Sequence, residues 1–162
     1  RNQEIIGLPI KNLDFDNSII IIDRALARIQ GKAYRREVKS TKTGLNRLLP
    51  FTEDLKEITK PIIKDRDPED LVFVTPKGKP INDQNLARRI IYPVLEKLNI
   101  PKRNLYAARH SFGSRCINLG LNIMETAYLM GNNPKTIFKH YAWLMQKVNT
   151  LPPIFNNLVK TK

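Results

Sequence analysis

The 162-residue chain carries 28 Lys and Arg against 15 Asp and Glu, a formal net charge of +13, so its natural partner is a polyanion, either nucleic acid or an anionic membrane face. Hydrophobic residues at 41% and charged residues at 27% are ordinary globular usage, which argues for one folded domain with a real core and against disorder. The longest aliphatic run, Ile19 to Ile22, is far too short to span a membrane, and the single cysteine, Cys116, excludes an internal disulfide and with it redox or zinc-cluster chemistry.

The opening residues, RNQEIIGLP, lack an initiator Met and a leader, and read as a start inside a longer protein of the reducing cytoplasm. Residues 1–8 read as the end of a helix, with Gly7 and Pro9 as stop signals. Asp14 to Asn17 is turn chemistry, and Ser18 to Ile22 is short, β-branched and flanked by polar residues, which predicts a strand. Alternation predicts further strands over Ala33 to Val38 and Asn46 to Phe51, with Lys39 to Gly44 as a hairpin loop between them.

From Thr52 the period becomes helical through Leu55, Ile58 and Ile62, with Pro61 shortening or kinking the helix. A charged loop over Lys64 to Asp70, a short apolar piece Leu71 to Val74 and a turn at Lys77 to Pro80 follow. Asn82 or Asp83 caps a helix running to about Leu98 and interrupted near Pro93. Three more helices are predicted: Arg103 to Leu119 ending at Gly120, Ile123 to Met130 ending at Gly131, and Pro134 to Trp143. The tail from Leu144 to Lys162 carries an apolar stripe of Ile154, Phe155, Leu158 and Val159. The order predicts an α+β fold: a small three-stranded antiparallel sheet with a mostly helical body.

Tyr106 and Arg109 stand three apart on one helix face, presenting a phenol and a guanidinium together. Downstream, Gly131-Asn132 is followed by Tyr141, nine positions after Asn132. Upstream stand Arg1, Glu4 and the loop segment Thr41 to Arg47 with Lys42. In this order the residues resemble the catalytic domain of the tyrosine recombinases, the phage-integrase family. The resemblance covers essentially the whole chain, 1–162.

It implies that Arg1 and Arg109 are paired phosphate-binding arginines, that Glu4 accompanies Arg1, that Lys42 is the hairpin lysine and that Tyr141 is the nucleophile. It makes His110 a buried support. The family usually has His where Tyr106 stands, and His or Trp where Asn132 stands. Phosphate binding survives these changes better than proton transfer does. It further implies a preceding helical DNA-clamping domain, without which Arg1 would be poorly held, and self-assembly on double-stranded DNA, as a tetramer in synapsis, with the tail docking on a neighbouring subunit or on its own core.

The chemistry suits the residue types. A side-chain oxygen that forms a phosphoester breaks DNA without losing the bond energy, so neither a cofactor, a metal nor ATP is required. Guanidiniums are planar, always charged and able to bond two phosphate oxygens at once. A lysine on a mobile loop delivers a proton to the leaving 5′ oxygen. Taken singly, each residue has a plainer reading: Tyr141 as an ordinary aromatic, Arg109 in a buried ion pair, Asn132 as a helix cap, Lys42 as a solvated lysine.

The usual base is absent, and His140 is a candidate substitute. His110 and His140 each adjoin a key residue, but helix neighbours point about 100° apart. Lys32, Arg35, Arg36, Lys39, Lys42 and Arg47 form a basic run predicted to lie along the phosphate backbone. The expected function is a site-specific recombinase that forms a 3′-phosphotyrosyl link. The alternatives are a DNA-binding module that has lost turnover and a related relaxing topoisomerase.

Overall fold

The computed structural model describes residues 1–29, 35–40 and 46–145. In chain order its elements are α1 (Asn2–Ile6), β1 (Leu13–Asp14), β2 (Ile19–Ile22), β3 (Arg24–Arg28), β4 (Arg36–Ser40), β5 (Arg47–Pro50), α2 (Glu53–Ile63), α3 (Asp83–Leu86), α4 (Tyr92–Lys97), α5 (Tyr106–Asn118), α6 (Ile123–Met130) and α7 (Pro134–Tyr141). Short 3-10 turns cover Ile10–Asn12 and Ala142–Leu144. The architecture is α+β with a mostly helical body, as the sequence predicts.

Four consecutive isoleucines favour extended backbone, and they form β2, the centre of a three-stranded antiparallel sheet ordered β1-β2-β5. Its register sets Leu13 opposite Ile20, and Ile20 opposite Leu49. Leu8, Leu13, Ile22, Phe51 and Val72 make the core beside this sheet, with Phe15 edge-on to Phe51 at 4.9 Å between ring centroids. Burying each such side chain stabilises by about 1.5–3 kcal/mol.

The membership of the sheet differs from the expectation. The strand predicted over Ala33 to Val38 is observed as β4 from Arg36 to Ser40, so it takes in Lys39 and Ser40 of the predicted loop, while residues 33–34 lie outside the described residues; it pairs with β3 in a separate two-stranded sheet. The sequence does not announce β3, because Arg24-Ala25-Leu26-Ala27-Arg28 contains no β-branched or aromatic residue. Its pairing, Leu26 opposite Val38, is made by the tertiary partner and not by local preference. β4 and β5 therefore lie in different sheets and are not the bonded arms of a hairpin. Residues 41–44 of the predicted loop, Lys42 among them, and Lys32 lie outside the described residues, as does the tail from residue 146.

In the second half, Asn82 caps α3 by accepting from the backbone N–H groups of Gln84 and Asn85. The interruption expected near Pro93 is a π-helical turn over Ala87–Ile91 that leads directly into α4. A proline cannot donate to the helical ladder and crowds the carbonyl four residues back, so a widened turn relieves it. Asn122 and Glu125 form a capping box that starts α6. Ile117, Ala127, Met130 and Ile137 from α5, α6 and α7 build a second core, and Tyr141 is part of it.

Three contacts among the described residues hold the elements around the site together. The Leu48 N–H on β5 donates to the Tyr128 hydroxyl on α6 at 3.0 Å. Gly7 lets α1 lie against β3, where a Cβ would sit 2.7 Å from the Leu26 nitrogen. The third tie is the ion-pair cluster around Glu4, where the site begins.

Candidate active site

α1 turns Glu4 inward, and β5 turns Arg47 toward it. The Arg47 guanidinium donates to both carboxylate oxygens, to Oε2 at 2.7 Å and Oε1 at 3.3 Å, with both side chains buried. Arg1 joins from one turn earlier, its Nη1 donating to Glu4 Oε1 at 3.0 Å. Burial pushes the Glu4 carboxyl up, the hydrogen bond and charge of Arg47 draw it down, and the carboxyl lies below its ordinary value. Glu4 thus joins Arg1 and Arg47 in one ion-pair cluster. Arg1, expected to be poorly held, has a second anchor: its Nη2 donates to the Gly131 carbonyl.

Arg109, on α5, reaches the same corner. Its Nη2 donates to the Met130 carbonyl at 2.7 Å, so Arg1 and Arg109 engage successive carbonyls at the C-terminal end of α6. Gly131 closes α6 in the left-handed region, at φ 58°. A side chain there is barred twice, since a Cβ on Gly131 would also overlap the Arg47 guanidinium. Among the described residues no carboxylate pairs with Arg109, and its buried Nε has no hydrogen-bond partner. The ion-pair reading of Arg109 is therefore set aside. What remains is an oriented, uncompensated guanidinium, suited to an anion.

Tyr141 closes the site from α7. It is only 5% exposed, because Gly113 on α5 leaves room for its ring: a Cβ there would stand 2.9 Å from Tyr141 Cζ and 2.8 Å from Met130 Sδ. Burial pushes the phenol above its ordinary value, Arg109 pulls the other way, and Tyr106 adds to the rise. The hydroxyl lies 3.0 Å from His110 Nδ1. Tyr106, half exposed, stands edge-on to the His110 ring at 5.1 Å and 5.9 Å from the Arg109 guanidinium carbon. The face shared by Tyr106 and Arg109 is as the sequence predicts.

Several expectations are corrected. His110 is not a buried support; it is solvent-exposed and sits on the phenol. Arg109 and His110 do point to different sides of α5, but α6 and α7 wrap around it, so both meet the same site. The helix cap expected of Asn132 belongs to Asn133, whose side chain accepts from the Lys135 N–H at 2.8 Å. Asn132, half-buried beside Gly131, holds its backbone N–H on the Ala127 carbonyl.

The basic run divides. Arg47 is buried on Glu4, and Arg36 donates to the Leu26 carbonyl and to Asp83, so neither lies on an open strip. Asp83 also accepts from Arg28, and these bonds outweigh its burial and keep the carboxyl below its ordinary value. Arg35 and Lys39 are exposed, Lys39 beside Glu37 at 2.7 Å.

Gly131 stands in the sequence as half of the Gly131-Asn132 pair, but its approach to Arg47 does not show there, and Gly113 does not stand out at all, because the sequence shows no close approach between helices. A Gly one turn after Arg109, on the same helix, is the one available signal.

A model of the phage integrase family matches residues 1–147. The chain is 27% identical over 157 residues to the transposase from transposon Tn916 of Enterococcus faecalis, covering 88% of this chain and 38% of that protein. It is 22% identical over 144 residues to the tyrosine recombinase XerC of Lactobacillus leichmannii, covering 88% and 45% respectively. The fold matches the Tn1549 transposon integrase, solved in complex with a circular intermediate DNA, at a TM-score of 0.74 and 24% identity, covering 99% of this chain and 54% of that one. The chain spans less than half the length of these two curated relatives. Because the family model covers most of the chain, the chain belongs to the phage integrase family, the tyrosine recombinases.

Proposed function

We propose that this chain is the catalytic domain of a site-specific DNA recombinase, or integrase, that cleaves and rejoins DNA through a 3′-phosphotyrosyl link on Tyr141, with no metal or ATP. Arg1 and Arg109 bind the two non-bridging oxygens of the scissile phosphate and stabilise the charge that grows there. The Tyr141 oxygen attacks phosphorus, the bond to the 5′ oxygen breaks, and Lys42 supplies the proton that oxygen takes up. Asn132 donates a further hydrogen bond to the phosphate. Arg35, Lys39, Lys32 and Lys42 follow the DNA backbone. The full protein adds an N-terminal DNA-clamping part, assembles on DNA as a tetramer and works in the cytoplasm of a bacterium or on its mobile elements.

One observation carries the reading: Arg1 and Arg109, far apart along the chain, converge on adjacent carbonyls beside the Tyr141 helix, and no carboxylate among the described residues neutralises Arg109. The complex of the Tn1549 integrase with a circular intermediate DNA supports DNA as the partner.

The test is to incubate full-length protein with a randomised pool of nicked duplexes whose cleavage is irreversible. A covalent protein–DNA adduct that Tyr141→Phe abolishes is the expected result. A second reading, binding without turnover, is favoured by the burial of Tyr141; salt-sensitive duplex binding with no adduct would establish it.

A further inference from the structure

We infer that His110 is the proton acceptor for Tyr141, a role that the replacement of the usual base by Tyr106 leaves open. The inference rests on Tyr141 being the nucleophile, as proposed above. Its ground is the 3.0 Å approach of His110 Nδ1 to the Tyr141 oxygen. With the ring proton on Nε2, Nδ1 is an acceptor and the phenol O–H donates to it.

The need for an acceptor follows from the site. Burial raises the phenol above its ordinary value, so Tyr141 meets its substrate protonated and has to lose the proton as it attacks. The other neighbours serve less well. Asn132 carries an amide, which does not take a proton. The His140 ring centroid stands 6.4 Å from that of Tyr141, and among the described residues His140 makes no hydrogen bond to the hydroxyl. Among the described residues, His110 alone combines contact with the reacting oxygen and an outer edge open to solvent, along a cleft lined by Arg103, Ser111, Ser114 and Arg115. Tyr106 holds the ring from the side in an edge-to-face contact, which gives this tyrosine a positioning duty.

The step balances. The phenol proton passes to Nδ1, the phenol oxygen bonds to phosphorus, the phosphorus–5′ oxygen bond breaks, and the 5′ oxygen takes a proton from a separate donor. His110 waits as imidazolium through the covalent intermediate. On rejoining, Nδ1 returns its proton to the departing Tyr141 oxygen.

The experiment compares adduct formation by the full-length protein on a nicked duplex selected from the randomised pool. His110→Ala is expected to slow adduct formation by about a hundredfold or more, and His110→Gln, which keeps a hydrogen bond to the phenol but takes no proton, to be equally slow. Duplex binding by both variants stays at the unaltered level, which shows that they fold. A 5′-bridging phosphorothiolate, whose thiolate leaves without a proton, does not repair His110→Ala, because the defect lies with the nucleophile. A fluorinated, more acidic tyrosine at position 141 does repair it.

Adduct formation by His110→Ala within about twofold of the unaltered chain, recovery by His110→Gln, or recovery on the phosphorothiolate overturns the inference. So does failure of the fluorinated tyrosine to help a folded His110→Ala protein. If the unaltered chain forms no adduct that Tyr141→Phe removes, the recombinase reading fails first and takes this one with it.

Discussion

Arg1 and Arg109 lie 108 positions apart in the sequence and donate to the carbonyls of Gly131 and Met130, neighbouring residues at the end of α6. Two cations are thus fixed side by side on a rigid helix end, and the one carboxylate in the cluster, Glu4, is engaged by Arg1 and Arg47. Fixed donors cost no reorganisation when charge develops on a bound phosphate.

Arg109→Lys keeps the charge but loses the planar fork. It is expected to reduce the rate of adduct formation by about 10²–10³-fold while duplex binding changes little. Single-turnover cleavage measured beside a binding isotherm checks this, and parallel losses in both would show a structural role instead.

Glu4→Ala leaves the Arg47 guanidinium buried without its partner and is expected to cost about 3–5 kcal/mol, a large share of a domain's stability. Because the Glu4 carboxyl titrates below its ordinary value of 4.5 when folded, its contribution is fully present above that pH and is lost as pH falls through the lower, folded value. Urea melts from pH 7 to pH 3 read this directly: Glu4→Gln flattens the acid limb relative to the unaltered chain.

Gly113→Ala forces the Tyr141 ring and the Met130 thioether aside and is expected to destabilise the fold by about 1–3 kcal/mol. The displaced phenol also leaves His110. A melting curve with a cleavage assay on the same preparation checks both, and an unshifted midpoint would show that the ring is not held where Gly113 meets it.

Arg35→Gln with Lys39→Gln is expected to leave stability unchanged and to lower the slope of log binding constant against log salt by about 0.9 for each phosphate that the pair neutralises. Arg47→Gln should do the reverse, lowering stability first, because its charge is spent on Glu4. Anisotropy titrations at several salt concentrations separate the two.

The helices are legible in the sequence because their boundaries are local chemistry: Asn122 and Glu125 at the start of α6, Gly131 at its end, Pro134 at the start of α7. The Tyr106–Arg109 face is legible for the same reason, as helical spacing alone sets it. β3 is not, since its pairing partner supplies what its composition lacks. Nor is the fate of Arg36 and Arg47. Charge in a sequence shows sign but not partner, and Asp83 and Glu4 lie 47 and 43 positions away from them. The place of His110 is hidden because its helix neighbourhood gives no hint that α7 brings a phenol to its other side.

Mass-spectrometric mapping of the covalently trapped DNA–protein adduct tests the central claim most directly. The account predicts that, after proteolysis and nuclease digestion, a nucleotide 3′-phosphate is found on the peptide containing Tyr141, on that residue and no other. A phosphate on any other side chain, or cleavage that leaves no protein-linked product, would contradict it.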